Sequence, residues 1–376
     1  MCALSVGFMA RIAVVISRYW ISNSPSLVNL LDFLSDRFDV DLYMHRCYLT
    51  RCPVLNKCRI RKISVNLITY PFVQMQCRSK DYLQHISVDP HGFALCKRLF
   101  PTSRPFYYSL ELYMSYDYKP LYYPESIKVG ERKRIQEISG LIIQSEEKKE
   151  LFVEDYGLPE TVRTLILPVT YRGGSSRTKT TYLRKKFGIP DSRRIALHLG
   201  GVAAWFSVCQ LAESFAGLED WSLVFHGDPI PADVKQLKRL IEDRRMDNIF
   251  IHNELFDDIE ELGPLIASAD IGIAWYNDIS IGFRTAGHSS GKIPAYMRYG
   301  LPIIAKRYRS TEEAIESVGA GICLDSIEEI AGALKTINNN YSTYSTNASI
   351  IYDNYYDFSL YKDKIYGFIF GQHGQQ

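Results

Sequence analysis

Short runs of aliphatic and β-branched residues recur along most of this chain, and each is followed by a stretch with helical spacing. The first run is Arg11–Ser17, and leucines at helical spacing separate it from a second run at Val40–Tyr43. Parallel strands need a crossover connection, usually a helix, so this order predicts βαβ units and a parallel sheet that is buried on both faces. The chain is therefore predicted to be an α/β protein.

The same rhythm occurs in two blocks that a polar segment separates. Residues 173–181 are rich in Gly, Ser and Thr, as linkers are. A chain of 376 residues also exceeds what one hydrophobic core usually serves. We predict two Rossmann-like domains of about five strands each, 1–172 and 182–345, which face a cleft. The segment 346–376 is predicted to be a helical tail that packs back across the domains.

Charge is distributed unevenly, although the whole chain carries a net charge of only +2. The first 110 residues hold 14 Lys or Arg against 6 Asp or Glu. The low net charge excludes a globally basic nucleic-acid binder. The segment Arg46–Lys62 is predicted to be an irregular basic loop interleaved with apolar residues, which suits an anionic membrane surface. A loop that is simply solvated is the alternative.

The cysteines predict a cytoplasmic protein, and the basic segment Arg46–Lys62 adds an expected peripheral contact with the inner face of the cell membrane. None of the eight cysteines forms a CxxC pair, so we expect reduced thiols rather than a disulfide framework or a zinc site. No apolar run of about 18 residues predicts a membrane-spanning helix. The apolar start lacks a basic n-region, and Met9 is an alternative to Met1 as the first residue.

The most informative motif lies between Gly287 and Ile304. Ser289, Ser290 and Gly291 precede a predicted helix that begins at Lys292, and a buried strand follows it. Free N–H groups at a helix start, two hydroxyls and an ammonium group would together bind an anion such as a phosphate. An ordinary serine-capped helix with a solvated lysine is the alternative.

Glycine also follows two predicted strands of the second block. Gly200 and Gly201 end one strand, and His226 and Gly227 end the next. Glycine lets backbone N–H groups approach a ligand, although a plain tight turn explains the same pattern. The third glycine of a dinucleotide fingerprint is missing, so no nicotinamide or flavin cofactor is predicted.

Candidates in the first block are acidic residues and a histidine. Glu111 ends a predicted strand, Phe106–Leu112, where a carboxylate can act as an acid, a base or an acceptor for a sugar hydroxyl. His91 lies in a predicted turn, Asp89–Gly92. Strands are also predicted at Val65–Thr69 and His85–Val88. The pair Asp39 and Asp41 forms a D-x-D, but its place at the start of a strand gives little support to a metal site, and no metal is predicted.

Together these segments resemble GT-B glycosyltransferases, and most of all the broad GT4-type group (glycosyltransferase family 1 in domain nomenclature). The stretch from Ser289 to Ile304 is similar to the group's S-x-x-K…Y-x-x-x-G-x-P-V-I pattern. Further similar segments are Gly140–Ser145, Leu167–Val169, Ala269–Ala274 and Gly319–Gly321. The resemblance covers nearly the whole chain.

The resemblance implies that the C-terminal domain binds a nucleoside-diphosphate sugar and that the N-terminal domain binds the acceptor. It implies that Glu111 faces the sugar and that Ser289–Lys292 contact the diphosphate. The residues expected to bind the donor are Gly200, Gly201, His226, Gly227, Ser289, Ser290, Gly291 and Lys292, and those expected to act in catalysis are Glu111 and Lys292. Many members also carry two glutamates eight residues apart, where this chain has Gly287 and Ala295. Glu312 or Glu313 could replace the missing ribose contact.

The sequence thus predicts a metal-independent hexosyltransferase. It would move a sugar from a nucleoside-diphosphate sugar to a glycan or lipid-linked acceptor, in surface polysaccharide biosynthesis. Two alternatives stay open: a GT-B-like sugar-nucleotide binder with impaired catalysis, and a sugar-nucleotide epimerase of GT-B shape.

Overall fold

The chain divides into two compact units. The computed structural model describes residues 10–16, 21, 24–45, 52–114, 125–256 and 258–371. The first unit comprises Met1–Pro168 and Tyr361–Gln376, and the second comprises Val169–Leu360. The division follows Pro168, slightly before the predicted end of the first domain, so the predicted linker 173–181 belongs to the second unit. There the hydroxyl of Ser175 donates to Asp353 over 2.7 Å.

The first unit is built on a seven-stranded sheet in which every described strand pair is parallel. Its strands are β1 Arg11–Val15, β2 Asp39–Met44, β3 Ile60–Ser64, β4 Gln84–Val88, β5 Phe106–Tyr108, β6 Gly140–Ile143 and β7 Thr164–Ile166. Their order is β3-β2-β1-β4-β5-β6-β7. The order reverses between β1 and β4, and in such sheets the crevice beyond the carboxyl ends of the strands at this point is where ligands bind.

In the described part of the chain, five α-helices connect these strands. They are α1 Pro25–Ser35, α2 Tyr70–Arg78, α3 Asp89–Leu99, α4 Glu125–Arg134 and α5 Glu146–Tyr156. Local capping groups set both ends of α5. Ser145 caps its start by accepting the N–H of Lys148, and Gly157 ends it in the left-handed conformation.

Several predictions for the first unit are wrong. Residues 65–69 form a turn rather than a strand. The strand at the sheet edge is instead β3, which overlaps the end of the segment predicted as an irregular loop. Asp89–Gly92 begins α3 rather than forming a turn. The strand predicted over Phe106–Leu112 ends at Tyr108. The predicted count of five strands is also too low.

The second unit contains a six-stranded sheet, again with only parallel pairs among the described strands. Its strands are β8 Arg194–Leu199, β9 Trp221–His226, β10 Ile249–His252, β11 Ile271–Ala274, β12 Ile303–Lys306 and β13 Gly321–Leu324, in the order β10-β9-β8-β11-β12-β13. Its helices are α6 Tyr182–Phe187, α7 Val208–Phe215, α8 Pro231–Asp243, α9 Gly263–Ala267, α10 Ile281–Arg284, α11 Lys292–Arg298, α12 Arg309–Thr311, α13 Ile330–Asn339 and α14 Tyr341–Ile351. The sheet holds one strand more than the predicted count of about five.

The helical C-terminal segment is also present, and it contributes to both units. Helix α14 packs in the second unit, where the hydroxyl of Tyr341 donates to the carbonyl of Asp270 over 2.9 Å. The last helix, α15 Lys362–Phe370, belongs to the first unit. There the ring of Phe368 lies 5.3 Å from that of Phe106. Among the described residues, no helix is both long enough and apolar enough to cross a bilayer.

Candidate functional site

Two glycine turns meet at the carboxyl ends of β8 and β9. Gly227 has φ +145°, and a Cβ at this position would lie 1.6 Å from the carbonyl oxygen of Gly200. The N–H of Gly200 in turn donates to the carbonyl of His226 over 2.9 Å. The two loops therefore approach this closely only because residue 227 is glycine, and the loop after β8 borders the switch point between β8 and β11.

The side chain of Lys292 fills the space that Gly200 leaves. A Cβ on Gly200, whose φ is +109°, would lie 2.6 Å from Cε of Lys292. The lysine is only 8% exposed, and its Nζ has no hydrogen-bond partner. This nitrogen lies 3.6 Å from the ring centroid of Phe206 and 4.6 Å from that of Tyr276. The faces of these two rings stabilise the ammonium group electrostatically.

Burial of this cation is costly, and burial holds the pKa of Lys292 well below its usual range. The imidazole of His198 is also fully buried nearby. Burial and the charge of Lys292 keep the pKa of His198 well below normal, so the imidazole adds no second positive charge, and it has no negative charge with which to pair the lysine. An anion bound at Nζ would neutralise this buried positive charge.

The residues before Lys292 make local bonds. The hydroxyl of Ser289 donates to the carbonyl of Thr285 over 2.8 Å. Ser290 Oγ hydrogen-bonds the hydroxyl of Tyr276 and accepts the N–H of Lys292. The carbonyl of Gly291 accepts from Tyr171 over 3.1 Å. Ser290 thus lies beside the ammonium, whereas Ser289 serves the turn; their contact with a ligand stays a prediction.

Tyr296 anchors α11 over the sheet, a role that sequence reasoning missed. Its buried hydroxyl accepts the N–H of Leu199 over 2.8 Å and lies within hydrogen-bond distance of the carbonyls of Leu197 and Ile273. Gly272 makes room for the ring, because a Cβ there would lie 2.3 Å from it. This anchor fixes where Lys292 stands. The periodicity of α11 indicates only that Tyr296 is buried.

The two positions at which many GT4-type proteins carry glutamate are closed here. A Cβ on Gly287 would lie 1.9 Å from the backbone oxygen of Ser310. Ala295 is buried within the hydrophobic core of the second unit. The proposed replacements are engaged elsewhere: Glu312 pairs with Arg307, and Glu313 pairs with Arg309. Their role in ribose binding stays a prediction.

His226 belongs to a buried pair of imidazoles. Its Nδ1 lies 2.9 Å from Nδ1 of His252, whose Nε2 lies 3.0 Å from the hydroxyl of Tyr182. Burial and the neighbouring His252 lower the pKa of His226 to about 4. This histidine therefore has a structural partner, and its contact with a donor is untested.

In the first unit, Asp89 positions the loop that carries Glu111. Asp89 Oδ1 accepts the N–H of Leu110 over 2.8 Å and that of Glu111 over 3.0 Å. Its φ of +56° is unusual outside glycine and is tolerated best by Asp and Asn. The carboxylate of Glu111 is exposed rather than buried. Sequence reasoning missed Asp89, although its place directly after β4 was a signal.

A buried lysine lies next to this loop. Lys148 Nζ donates to Oε1 of Gln144 over 3.2 Å and to the carbonyl of Leu110 over 3.5 Å. Burial lowers the pKa of Lys148, and the carboxylates of Glu111 and Asp89 oppose that shift. His91, half-buried in the first turn of α3, is the other predicted residue of this region.

The D-x-D pair binds the protein's own cations. Asp41 is buried and accepts hydrogen bonds from Arg61, Tyr82 and Lys80. Burial raises its pKa, but these three partners outweigh burial and hold the pKa below its ordinary value. Within the described part of the chain, no three His, Cys, Asp or Glu residues are grouped to hold a metal ion.

Comparison with known proteins agrees with this architecture. Residues 241–354 match the family described as "Glucosyltransferase 3-like, C-terminal domain". No curated protein matches the chain. The family match covers part of the second unit, including Lys292 and α11.

Solved structures extend the similarity to nearly the whole chain. Anabaena HepE in complex with UDP and glucose has a TM-score of 0.72 and 15% identity, over 95% of this chain and 98% of that one. Sucrose-phosphate synthase from Thermosynechococcus elongatus has a TM-score of 0.71 and 13% identity, over 95% and 97%. WaaG, a glycosyltransferase involved in lipopolysaccharide biosynthesis, has a TM-score of 0.68 and 15% identity, over 96% of this chain and 100% of that one. The predicted α/β fold with two Rossmann-like domains is therefore confirmed.

Proposed function

We propose that this protein is a glycosyltransferase that uses a nucleoside-diphosphate sugar. The observation that carries the proposal is the buried, unpaired ammonium of Lys292 beside the glycine turns of β8 and β9. When the bond between the sugar C1 and the diphosphate oxygen breaks, negative charge accumulates on the leaving diphosphate. A fixed cation in a site that excludes water stabilises that charge strongly.

The donor and acceptor follow from the same site and from the relatives. Because HepE was solved with UDP and with UDP-glucose, a UDP-hexose is the donor that we propose to test first. The relation to WaaG supports an acceptor in surface polysaccharide assembly, either a glycan or a lipid-linked sugar. Glu111, on the loop that Asp89 holds, is the carboxylate that we propose on the acceptor side.

Metal-independent transfer is part of the proposal. The ammonium of Lys292 supplies the positive charge that a divalent ion provides in other transferases, so turnover is expected to persist in EDTA. A loss of activity that Mg²⁺ or Mn²⁺ restores would contradict this part.

The test is calorimetric binding of UDP, GDP and ADP, followed by transfer and hydrolysis assays with a panel of sugar nucleotides. Lys292→Ala is expected to lower turnover by about 10²- to 10³-fold. Lys335→Ala, which removes an exposed lysine on α13, is the matched control and is expected to behave like the wild type. Turnover that survives Lys292→Ala would refute the assignment.

A catalytically impaired sugar-nucleotide binder is the second candidate, and the closed positions Gly287 and Ala295 favour it. This protein would bind a nucleoside diphosphate through Lys292 but would neither transfer nor hydrolyse any sugar of the panel. The calorimetric and turnover measurements together distinguish the two functions.

A further inference from the structure

The turn after β3 and the following helix α2 expose an unusual amount of apolar surface. Among the described residues, the four most exposed large apolar side chains all lie here: Leu67 at 96%, Ile68 at 81%, Met75 at 68% and Phe72 at 65%. The other exposed apolar side chains are scattered singly, which is normal for a protein surface. We call these four residues the α2 patch.

Helix α2 is apolar on two sides. Val73 and Cys77 are buried against the core of the first unit. Phe72 and Met75 point the other way, and Ile68 continues their helical spacing at the turn. Among the described residues, packing within the unit uses only the first side and leaves the α2 patch exposed.

The turn is rigid, and its backbone is largely satisfied internally. Asn66 Oδ1 accepts the N–H of Ile68 and that of Thr69, each over 2.9 Å. The hydroxyl of Thr69 donates to the carbonyl of Ser64 over 2.8 Å. A segment that keeps its polar backbone groups paired can enter an apolar phase without losing hydrogen bonds to water.

Cationic side chains lie at helix α2. Residues 59–80 contain five Lys or Arg and no Asp or Glu, and of these Arg61 and Lys80 pair with the buried Asp41. Arg78 is exposed at the end of α2, and the guanidinium of Arg98 lies over the ring of Tyr70, 4.8 Å from its centroid. Apolar side chains next to cations suit the boundary between acyl chains and anionic headgroups. A second copy of the chain fits less well, because docking two such surfaces would bring like charges together.

We propose that the α2 patch inserts into the surface of an anionic lipid bilayer. This inference is independent of the proposed reaction. It also places the membrane contact beside the predicted segment Arg46–Lys62 rather than within it. Residues 46–51 of that segment lie outside the described residues, and Lys57 and Arg61 pair with acids of the same unit.

The experiment is binding of the full chain to vesicles of phosphatidylcholine, with and without phosphatidylglycerol. The wild type is expected to bind only the anionic vesicles, and less tightly at high salt. The double variant Ile68→Ser/Phe72→Ser is expected to bind at least tenfold more weakly. Arg78→Ser is expected to lose about fivefold. Ile350→Ser removes another exposed isoleucine, in the second unit, and is the matched control, which should bind like the wild type.

A second measurement reports insertion directly. In the variant Phe72→Trp, brominated acyl chains are expected to quench the fluorescence of the introduced indole. Absence of wild-type binding, equal binding by Ile68→Ser/Phe72→Ser, or fluorescence of Phe72→Trp that the brominated lipid leaves unchanged would each overturn the proposal. Concentration-dependent dimerisation that the double variant abolishes would overturn it in favour of self-association.

Discussion

Replacing Lys292 by methionine should make the protein more stable and at the same time weaken its binding of a nucleoside diphosphate. Burying an unpaired ammonium costs several kcal/mol, and two aromatic faces return about 1–2 kcal/mol each. Methionine has a similar length and no charge. We therefore expect Lys292→Met to raise the free energy of unfolding by about 1–3 kcal/mol at pH 7.

The same substitution should weaken the binding of a nucleoside diphosphate. Charge-assisted hydrogen bonds from Nζ to a phosphate contribute about 1.5–3 kcal/mol, so the Kd for UDP should rise by about 10- to 150-fold. Chemical denaturation measures the first effect and titration calorimetry the second. Because a misfolded variant would lose both stability and binding, the combination of opposite signs is diagnostic. Lys335→Met, on an exposed face, should change neither.

The lowered pKa of Lys292 fixes how the stability difference between the wild type and Lys292→Met changes with pH. Burial lowers the pKa of Lys292 in the folded state, so the unfolded chain binds more protons between the lowered pKa and the usual value of 10.5. The wild type should gain stability relative to Lys292→Met as pH rises through that interval. A bound diphosphate raises the lysine pKa again, so binding at a pH above the lowered pKa should take up protons, which buffers of different ionisation enthalpy reveal. An unchanged Kd in Lys292→Met, or a less stable variant at low pH, would refute the reasoning.

Three further predictions test the remaining parts of the structure. Gly227→Ala should lower the free energy of unfolding by at least about 2 kcal/mol, because the added Cβ would overlap a backbone oxygen. Gly332→Ala in α13, where nothing lies near the added Cβ, should instead raise it by about 0.5–1 kcal/mol. Urea denaturation of both variants measures these changes. Asp89→Ala should lower turnover by about tenfold or more without changing the Kd for UDP, since it frees the Glu111 loop; an equal loss of UDP binding would contradict this. The low pKa of Asp41 stabilises the fold above its ordinary value of 3.8, and this contribution is lost as pH falls through the lowered pKa. Asp41→Asn should therefore flatten the acid limb of the stability curve measured between pH 2 and pH 7.

The second unit could be predicted almost completely from the sequence, and the first could not. Strands β8 to β13 are buried on both faces and read as continuous apolar runs. In the first unit, Val65–Thr69 has the composition of a strand because Leu67 and Ile68 are apolar, yet both are exposed on a turn that Asn66 builds. Strand β3 was missed because its arginine and lysine belong to a sheet edge, where such residues prevent unwanted pairing.

The candidate site shows the same limit. Lys292 and Gly200 could be predicted because a glycine turn and a serine-lysine motif are local patterns. The neighbours Phe206 and Tyr276 come from other elements, and only the folded chain brings them to the lysine. The role of Asp89 could not be predicted, because an Asp-Pro pair begins a turn as readily as a helix.

Helix α15 completes the first unit, although it is synthesised only after the whole second unit. The ring of Phe368 covers Gly140, and its carbonyl accepts a hydrogen bond from Arg163 over 2.8 Å. Phe370 stacks on Phe38 with centroids 4.6 Å apart. While the ribosome is still translating the second unit, the first has no partner for these surfaces. The first unit can therefore complete its folding only after translation reaches residue 370. Until then its apolar surface is uncovered, so a fragment ending at Pro168 should aggregate unless α15 is supplied as a separate peptide.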